Sequence, residues 1–407
     1  MSDVATAVPK PPTIFLVATT VAGISATTIY VPTLTAVVAD LSVSAQMGQL
    51  TLSVFLVMFA VFQLVYGPLA DRHGRKPVLL AGLAIFLAAN LLAALAQTIE
   101  VLLAARVLQG IGACAGLVIA RAMVRDAYGR KDSARVMGYV GMGQGLSALF
   151  APVIGGSLQA WTGDWHAAFF FMVALTLLPM TILVFAVRET LQPTEPASRG
   201  VSGMVLDYVS LLREPRYLFF AMGSAMITGT IYLFLSSVPF VLANIAGATA
   251  QRIALLLLFV SGGYIVGNIV TSAVSARVRP EQVTTFGVSL CFLGVALLGA
   301  LGMAGLRSEL VVAAPMVLFG LGNGLSLPAS AAIAVGIMPR IAGTASALFG
   351  FGGYTMGTLG TVVAGFLVHS SQMPLAGAML VTTSVSLVCF VSGYLVLRRD
   401  EQSGVQV

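Results

Sequence analysis

Four features of this sequence combine residue types and spacing that could do chemistry. In Gly67-Pro68-Leu69-Ala70-Asp71-Arg72-His73-Gly74-Arg75-Lys76, one acid stands among bases, between glycines that allow a tight turn and close helix approach. Asp71 could pair with those bases or with a helix N-terminus across an interface; on spacing alone, a topogenic basic loop fits equally. Arg106 lies in an apolar run about five residues, or ~8 Å, from its outer end, with Gln109 one turn on along the same face. A charge inside a membrane span is costly and points to function, unless, this near an end, it snorkels to the interface. Pro152 with Gly155 and Gly156 frees backbone carbonyls and lets helices approach, a basis for a bend or a rocking contact and equally for plain packing. Thr28, Tyr30, Gln63, Gln144, Tyr232, Asn268, Asn323 and Tyr354 are polar or aromatic groups inside apolar runs, where they could line a substrate cavity or hold helices together.

None of this is catalytic. His73, His166 and His369 are far apart, and no HExxH, CxxC or Ser/His/Asp pattern occurs. Cys114, Cys291 and Cys389 sit singly in apolar stretches, as small core residues do. Phosphate-cradling and dinucleotide motifs are missing, so neither a cofactor nor a metal is expected and the chain does not read as an enzyme.

Composition dictates the elements that must position these residues. Of 407 residues, 58% are hydrophobic and 9% charged, against about 25% charged in a soluble domain. So few charges cannot cover a water-facing surface, and the solvent is a bilayer. At about 20 apolar residues per crossing, the runs at 14–38, 46–68, 78–97, 101–123, 134–157 and 167–187 predict six helices. Runs at 217–242, 252–275, 283–304, 310–334, 344–368 and 374–397 predict six more. With both termini cytoplasmic, the inner loops hold eighteen Lys and Arg and the outer loops only Arg252 and Arg307, the positive-inside pattern. Topology therefore explains the net charge of +6, and no basic cluster with stacking aromatics suggests a nucleic-acid partner. The Pro-rich start before Thr13 superficially resembles a leader, but the apolar run continues to Val38 and more spans follow, so an uncleaved first helix is expected.

The halves echo each other at a shift of 207 to 210 residues: Tyr30-Val31-Pro32 with Ser237-Val238-Pro239, Val107 to Gly112 with Val317 to Gly322, and Gly155 with Gly365. One register across six spans suggests parallel repeats with a substrate site near the midplane between them. The expected organisation is a bundle over 1–187, a linker over 188–216 and a bundle over 217–407. Pro193, Pro196 and Gly200 break structure in that linker, and Met204 to Leu212 could form an amphipathic surface helix.

In a twelve-span chain, the Gly67 to Lys76 pattern resembles the signature of the major facilitator superfamily. Arg106 to Gly112 is similar to that superfamily's buried-arginine motif, and Ala151-Pro152-Val153-Ile154-Gly155-Gly156 to its exporter motif, with alanine replacing the usual glycine before the proline. More specifically, Ser44-Ala45-Gln46, Gln63 to Pro68, Arg125-Asp126-Ala127-Tyr128, Trp165-His166, Arg188-Glu189-Thr190-Leu191 and Ala342 to Ser346 resemble the Bcr/CflA-type drug exporters, the bicyclomycin and chloramphenicol resistance branch. The likeness covers nearly the whole chain. It implies a monomer in the bacterial inner membrane that exports small hydrophobic drugs in exchange for protons by rocking of its halves. It also implies that Arg75 pairs with Asp126 and, with Gly67, Asp71 and Gly74, forms a latch that closes the cytoplasmic side of the outward-facing state.

The sequence departs from that pattern where protons are concerned. Related exporters carry Asp two residues before the Tyr of the first span; here Thr28 stands there, and all 15 acids fall in tails, loops or span ends. A hydroxyl cannot titrate in place of a desolvated carboxylate. Protons must then use a boundary acid such as Asp40 or Asp126, or transport is coupled differently or not at all. A facilitator or importer of a small metabolite is the alternative function. A cavity with Arg106 and no carboxylate should favour neutral compounds over lipophilic cations.

Overall fold

The structure, a computed structural model, describes residues 9–128, 130–191, 201–274, 277–338, 341–367 and 371–402. Its helices are α1 (Thr13–Thr28), α2 (Leu34–Asp40), α3 (Ala45–His73), α4 (Arg75–Ala94), α5 (Ile99–Ala127), α6 (Arg130–Thr162), α7 (Ala167–Ala186), α8 (Val201–Leu212), α9 (Pro215–Ala246), α10 (Ala250–Val274), α11 (Pro280–Met303), α12 (Glu309–Ala313), α13 (Met316–Gly336), α14 (Ala342–Phe366) and α15 (Met373–Gln402). Twelve segments are long and apolar enough to cross a bilayer; α1 and α2, joined by a 3-10 turn at Val31–Thr33, make the first, and α12 with α13 the tenth. This is the all-α, two-bundle membrane architecture that the sequence predicts.

Local chemistry sets the helix ends. Ser44, Thr98 and Ser308 cap α3, α5 and α12, each accepting from the backbone N–H three residues on. Several helices outrun the apolar pattern, among them α3, which continues to His73, and α5, which continues to Ala127, where 68 and 123 are expected. Nothing after Pro68 stops α3 until Gly74, whose φ of 95° a side chain would resist. The expected basic loop is therefore mostly the last turns of α3, and Arg125 and Asp126 are helical residues.

In the first bundle α5 packs on α1, α3 and α4, while α6 lies on α1 and α7 on α4. In the second, α13 lies between α10 and α11, and α9 joins α14 and α15. The bundles meet along two seams, α3 with α14 and α6 with α10. Outward faces expose Phe185, Phe286 and Val381, apolar surface that suits a lipid solvent. Both ends of the described chain lie on one face of the molecule, the terminal face; the other is the far face.

α8 extends the expected linker helix at its start. Leu211 is buried with Tyr217, Ala334 and Ala345 at the terminal face of the second bundle, while Leu206 is exposed. The expected breakers Pro193, Pro196 and Gly200, like His369 and the first eight residues, lie outside the described residues.

Candidate functional site

Near the far face both seams are tight. Along α3 and α14, Ser53 Oγ lies 2.6 Å from Thr361 Oγ1, the Phe59 and Tyr354 rings are 4.6 Å apart, and Gln63 lies over Gly350. Along α6 and α10, a Cβ on Gly156 would stand 2.6 Å from Ala254, and Ser261 donates to the Ala148 carbonyl at 3.2 Å. Past Gln63, and past Gly145 facing Ile265, the seams part: a Cβ on Gly67, Gly138 or Gly141 would meet nothing within 4 Å. Both seams thus close over about 15 Å of helix at ~1.5 Å per residue, and a cleft opens toward the terminal face. At its narrow end, Tyr232 of α9 hydrogen-bonds to Thr27 of α1 and lies 6.3 Å from Tyr354. Buried Phe59 of the first bundle backs this platform.

Arg106 does not snorkel. It is seven residues into α5 and fully buried, with Nε donating to Thr51 O at 3.2 Å and Nη1 to Ala26 O at 3.1 Å and to Gln109 Oε1 at 2.8 Å. The guanidinium lies over the Phe55 and Tyr30 rings at 4.4 and 5.3 Å, and Nη2 has no hydrogen-bond partner. Gln109 donates to Asn90 Oδ1 at 2.7 Å and Asn90 to Thr176 Oγ1 at 3.1 Å, so one polar relay joins α5, α4 and α7. Two carbonyls and an amide oxygen, with no carboxylate, offset the desolvation of this charge. Because it is enclosed within the first bundle, Arg106 does not line the cleft, and its effect on substrate charge cannot be direct.

The expected latch residues do meet. Arg75, buried although at a helix start, pairs with Asp71 Oδ1 at 2.6 Å and with Asp126 Oδ2 at 2.8 Å, tying α3, α4 and α5 together. Asp71 is more than half exposed, and all three belong to the first bundle, so the cluster makes no bond across the open cleft. Glu189 supports it: its carboxylate accepts from the backbone N–H groups of Arg75 and Lys76 at the start of α4, both at 3.0 Å. In return, Lys76 Nζ donates to the Val187 carbonyl at 2.7 Å beside the end of α7. Burial works against charge on Glu189, but the backbone donors of Leu191, Lys76, Arg75 and Thr190 outweigh it and hold the carboxyl below its usual range.

At the far face, Trp165 Nε1 donates to Asp40 Oδ2 at 2.9 Å, and Trp165 stacks on His166, ring centres 3.6 Å apart. His166 reaches Asp164 Oδ1 at 2.5 Å and Ala96 O at 2.8 Å. Burial raises the Asp164 carboxyl, but its bonds to His166 prevail and hold it below the usual range. Beside this clasp lie cavities of about 500 Å³, between Thr35 and Gln251, and about 340 Å³, between Asp40 and His166.

A sequence profile described as "Major Facilitator Superfamily" matches residues 15–361, through both bundles and both seams. The chain belongs to this superfamily. It is 29% identical to a chloramphenicol resistance protein of Pseudomonas aeruginosa over 88% of this chain and 84% of that protein. To multidrug resistance protein D of Escherichia coli (strain K12) it is 28% identical over 83% and 84%. In fold it is similar to a bacterial homologue of the human lysosomal transporter Spinster in an inward-facing, occupied conformation, with a TM-score of 0.73 and 18% identity, covering 95% and 96% of the two chains. The two sequence relatives match the exporter branch that the motifs resemble, the structural likeness shows the fold, and the superfamily makes the chain a multi-pass membrane transporter.

In this transporter the eight expected cavity residues divide. Tyr232 and Tyr354 lie side by side on α9 and α14 of the second bundle at the narrow end of the cleft, with Gln63 and Thr28 buried in the first bundle's helices and Thr28 Oγ1 unpartnered. Gln144 is half-buried on α6, its Nε2 without a partner. Tyr30 is fully buried against Phe169 and Arg106, away from the cleft. Asn268 donates to the Tyr264 carbonyl one turn back, and Asn323 is buried on α13, so these two belong to the packing of the second bundle. In the exporter motif, Gly155 packs on the Ile29 carbonyl inside the first bundle and Gly156 on α10 across the seam; Pro152 lies within a continuous α6. The sequence reading missed Glu189, although it noticed the Arg188-Glu189-Thr190-Leu191 run, and missed Arg121, counted there as a loop charge. The helical spacing of Arg121 with Cys114, seven residues earlier, was the available signal.

Proposed function

We propose that this superfamily member is a multidrug efflux transporter of the bacterial inner membrane, monomeric, with both termini cytoplasmic, exporting hydrophobic small molecules by alternating access in exchange for protons. The observation that carries this reading is the pair of seams, closed over the far face and parted at the terminal face around the Tyr232 and Tyr354 rings of the second bundle, which Phe59 of the first bundle backs. Loop charge makes the terminal face cytoplasmic, so the cleft receives substrate from the cytoplasmic side. Apolar and aromatic walls with few polar groups suit drug-like compounds. The antibiotic-resistance names of the relatives support export, and transporters as a class move solutes without catalysing their conversion.

Thr28 favours a second reading of the energetics. No described carboxylate lies within the apolar length of a span, and Thr28 Oγ1 is buried without a partner, so transport could be uncoupled or use an acid at a helix end, as in a facilitator or importer of a small metabolite. One experiment addresses both readings: accumulation of chloramphenicol and of ethidium in pump-deficient bacteria expressing the chain or its Asp71→Asn variant, with and without a protonophore. Exclusion of chloramphenicol that the protonophore and the variant abolish is the expected result, with ethidium excluded less. Ethidium efflux above that of chloramphenicol overturns the substrate preference, and uptake indifferent to the protonophore favours the facilitator.

A further inference from the structure

On α5, a stripe of four residues turns toward the second bundle: Cys114, Val118, Arg121 and Arg125, at spacings of four, three and four. Exposure rises along it, from buried Cys114 through half-buried Val118 to exposed Arg121 and Arg125. Two contacts fix its direction. Arg121 is close enough to Tyr354 of α14 to interact electrostatically, and Arg125 Nη1 lies 3.8 Å from where a Gly343 Cβ would stand. The stripe thus runs down one wall of the cleft, and Arg121 sits one step below the Tyr232 and Tyr354 platform.

Arg121 has no counter-charge. Among the described residues no carboxylate pairs with it, and the groups that act on it electrostatically are Tyr354 and Cys114, both neutral at ordinary pH. Asp126, five residues on, is held by Arg75. The neighbouring arginines behave otherwise: Arg75 has two carboxylates and Arg106 three oxygen acceptors. Asp71, Asp126 and Asp132 are each in an ion pair with another base. An exposed guanidinium with five donors and an aromatic wall beside it is a receptor for a planar anion, because a carboxylate can take two parallel bonds from its fork while an aromatic body lies on the rings.

We infer that Arg121 is a specificity residue of the cleft, and that the preferred substrates include amphiphilic aromatic carboxylates, held by their anionic group at Arg121 and by their rings on Tyr354 and Tyr232. This rests on the cleft being the substrate path, as in the function proposed above. It differs from a preference for neutral drugs, which needs no more than the absence of an acid.

The test measures dissociation constants of nalidixate, a planar aromatic carboxylate, and of neutral chloramphenicol for the purified full-length protein in zwitterionic detergent, comparing wild type, Arg121→Gln and Arg121→Lys. The expected result is a rise of about tenfold or more in the ratio of the nalidixate to the chloramphenicol constant for Arg121→Gln, the size of one charge-assisted hydrogen bond. Arg121→Lys, keeping the charge but not the fork, should recover part of the ratio. An unchanged ratio, or no nalidixate binding to the wild type, overturns the inference, and so does full displacement of nalidixate by phosphatidylglycerol, which would make a lipid headgroup the ligand. Thermal unfolding of each apoprotein shows that the variants fold; if Arg121→Gln does not, a lost ratio in Arg121→Lys alone supports the inference and a retained one overturns it. Failure of the efflux reading would look different: equal drug accumulation in cells with and without the chain, with the binding ratio still dependent on Arg121.

Discussion

The two bundles solve one packing problem with different chemistry on their central helices. On α5, Gly110 and Gly112 let the helix lie against the Phe55 carbonyl of α3 and the backbone of Phe86 on α4; on α13, Gly320 and Gly322 do the same against Val260 of α10 and Gly287 of α11. At corresponding places just before these glycines, the first bundle has Arg106 and Gln109 and the second Met316 and Phe319, and all four are fully buried. Shared glycines are what the architecture requires, since a side chain there would displace a neighbouring backbone. The polar pair is not required, because an apolar pair fills the same position. A guanidinium that the fold can do without, and that is costly to bury, points to a role in the working cycle.

Copying the second bundle into the first gives the sharpest test. Arg106→Met with Gln109→Phe should abolish transport in proteoliposomes, at least a hundredfold on the order of general losses at essential groups, while stability falls by about 1 to 3 kcal/mol, the cost of leaving Asn90 without its donor. If the double variant fails to fold, the polar relay is structural and the comparison breaks. Gly320→Leu attacks what the bundles share, and thermal unfolding in detergent should show a loss of about 3 kcal/mol from overpacking; Gly67→Ala, which faces open space, should be silent.

Smaller effects come from the terminal face, where the first bundle carries the Asp71, Arg75 and Asp126 cluster and the second a long Arg279 to Glu281 contact of 3.8 Å. Asp126→Asn should cost about 1 to 3 kcal/mol, since it weakens the hold on a buried guanidinium. Asp71→Asn should cost below about 1 kcal/mol because its carboxylate is largely solvated. The smallest expected change is at Glu189. Its folded carboxyl is held below the usual range, so its stabilisation is present above the ordinary glutamate pKa and is lost as pH falls through the depressed one. Glu189→Gln should remove that acid-side loss, by about 0.3 to 1 kcal/mol after solvent screening, measured as unfolding temperature against pH below the ordinary glutamate range.

Sequence made the spans legible because lipid imposes length and apolarity on every crossing, and it placed Arg106 on the right element, while Asp71 and Arg75, expected in a loop, are helical. What escaped it was direction. Tyr30 and Tyr232 look alike in an apolar run, yet one packs inside a bundle and the other faces the cleft, because hydropathy does not say which side of a helix meets protein and which meets open space. Arg121 was misread for a related reason: charge near a span end signals topology, and hydropathy does not say that its side of α5 faces the second bundle.

Glu189 fastens the chain after α7 to the start of α4, and Leu211 fastens α8 to the second bundle. From Leu191 to Val201 the sequence takes ten steps, a contour of at most ~35 Å. This leash sets a ceiling on how far the two halves can swing apart at the terminal face, whatever the seams permit. Shortening it should narrow the widest opening and so exclude the bulkiest cargo first, and lengthening it should relax that size limit, without a change to any residue of the cleft.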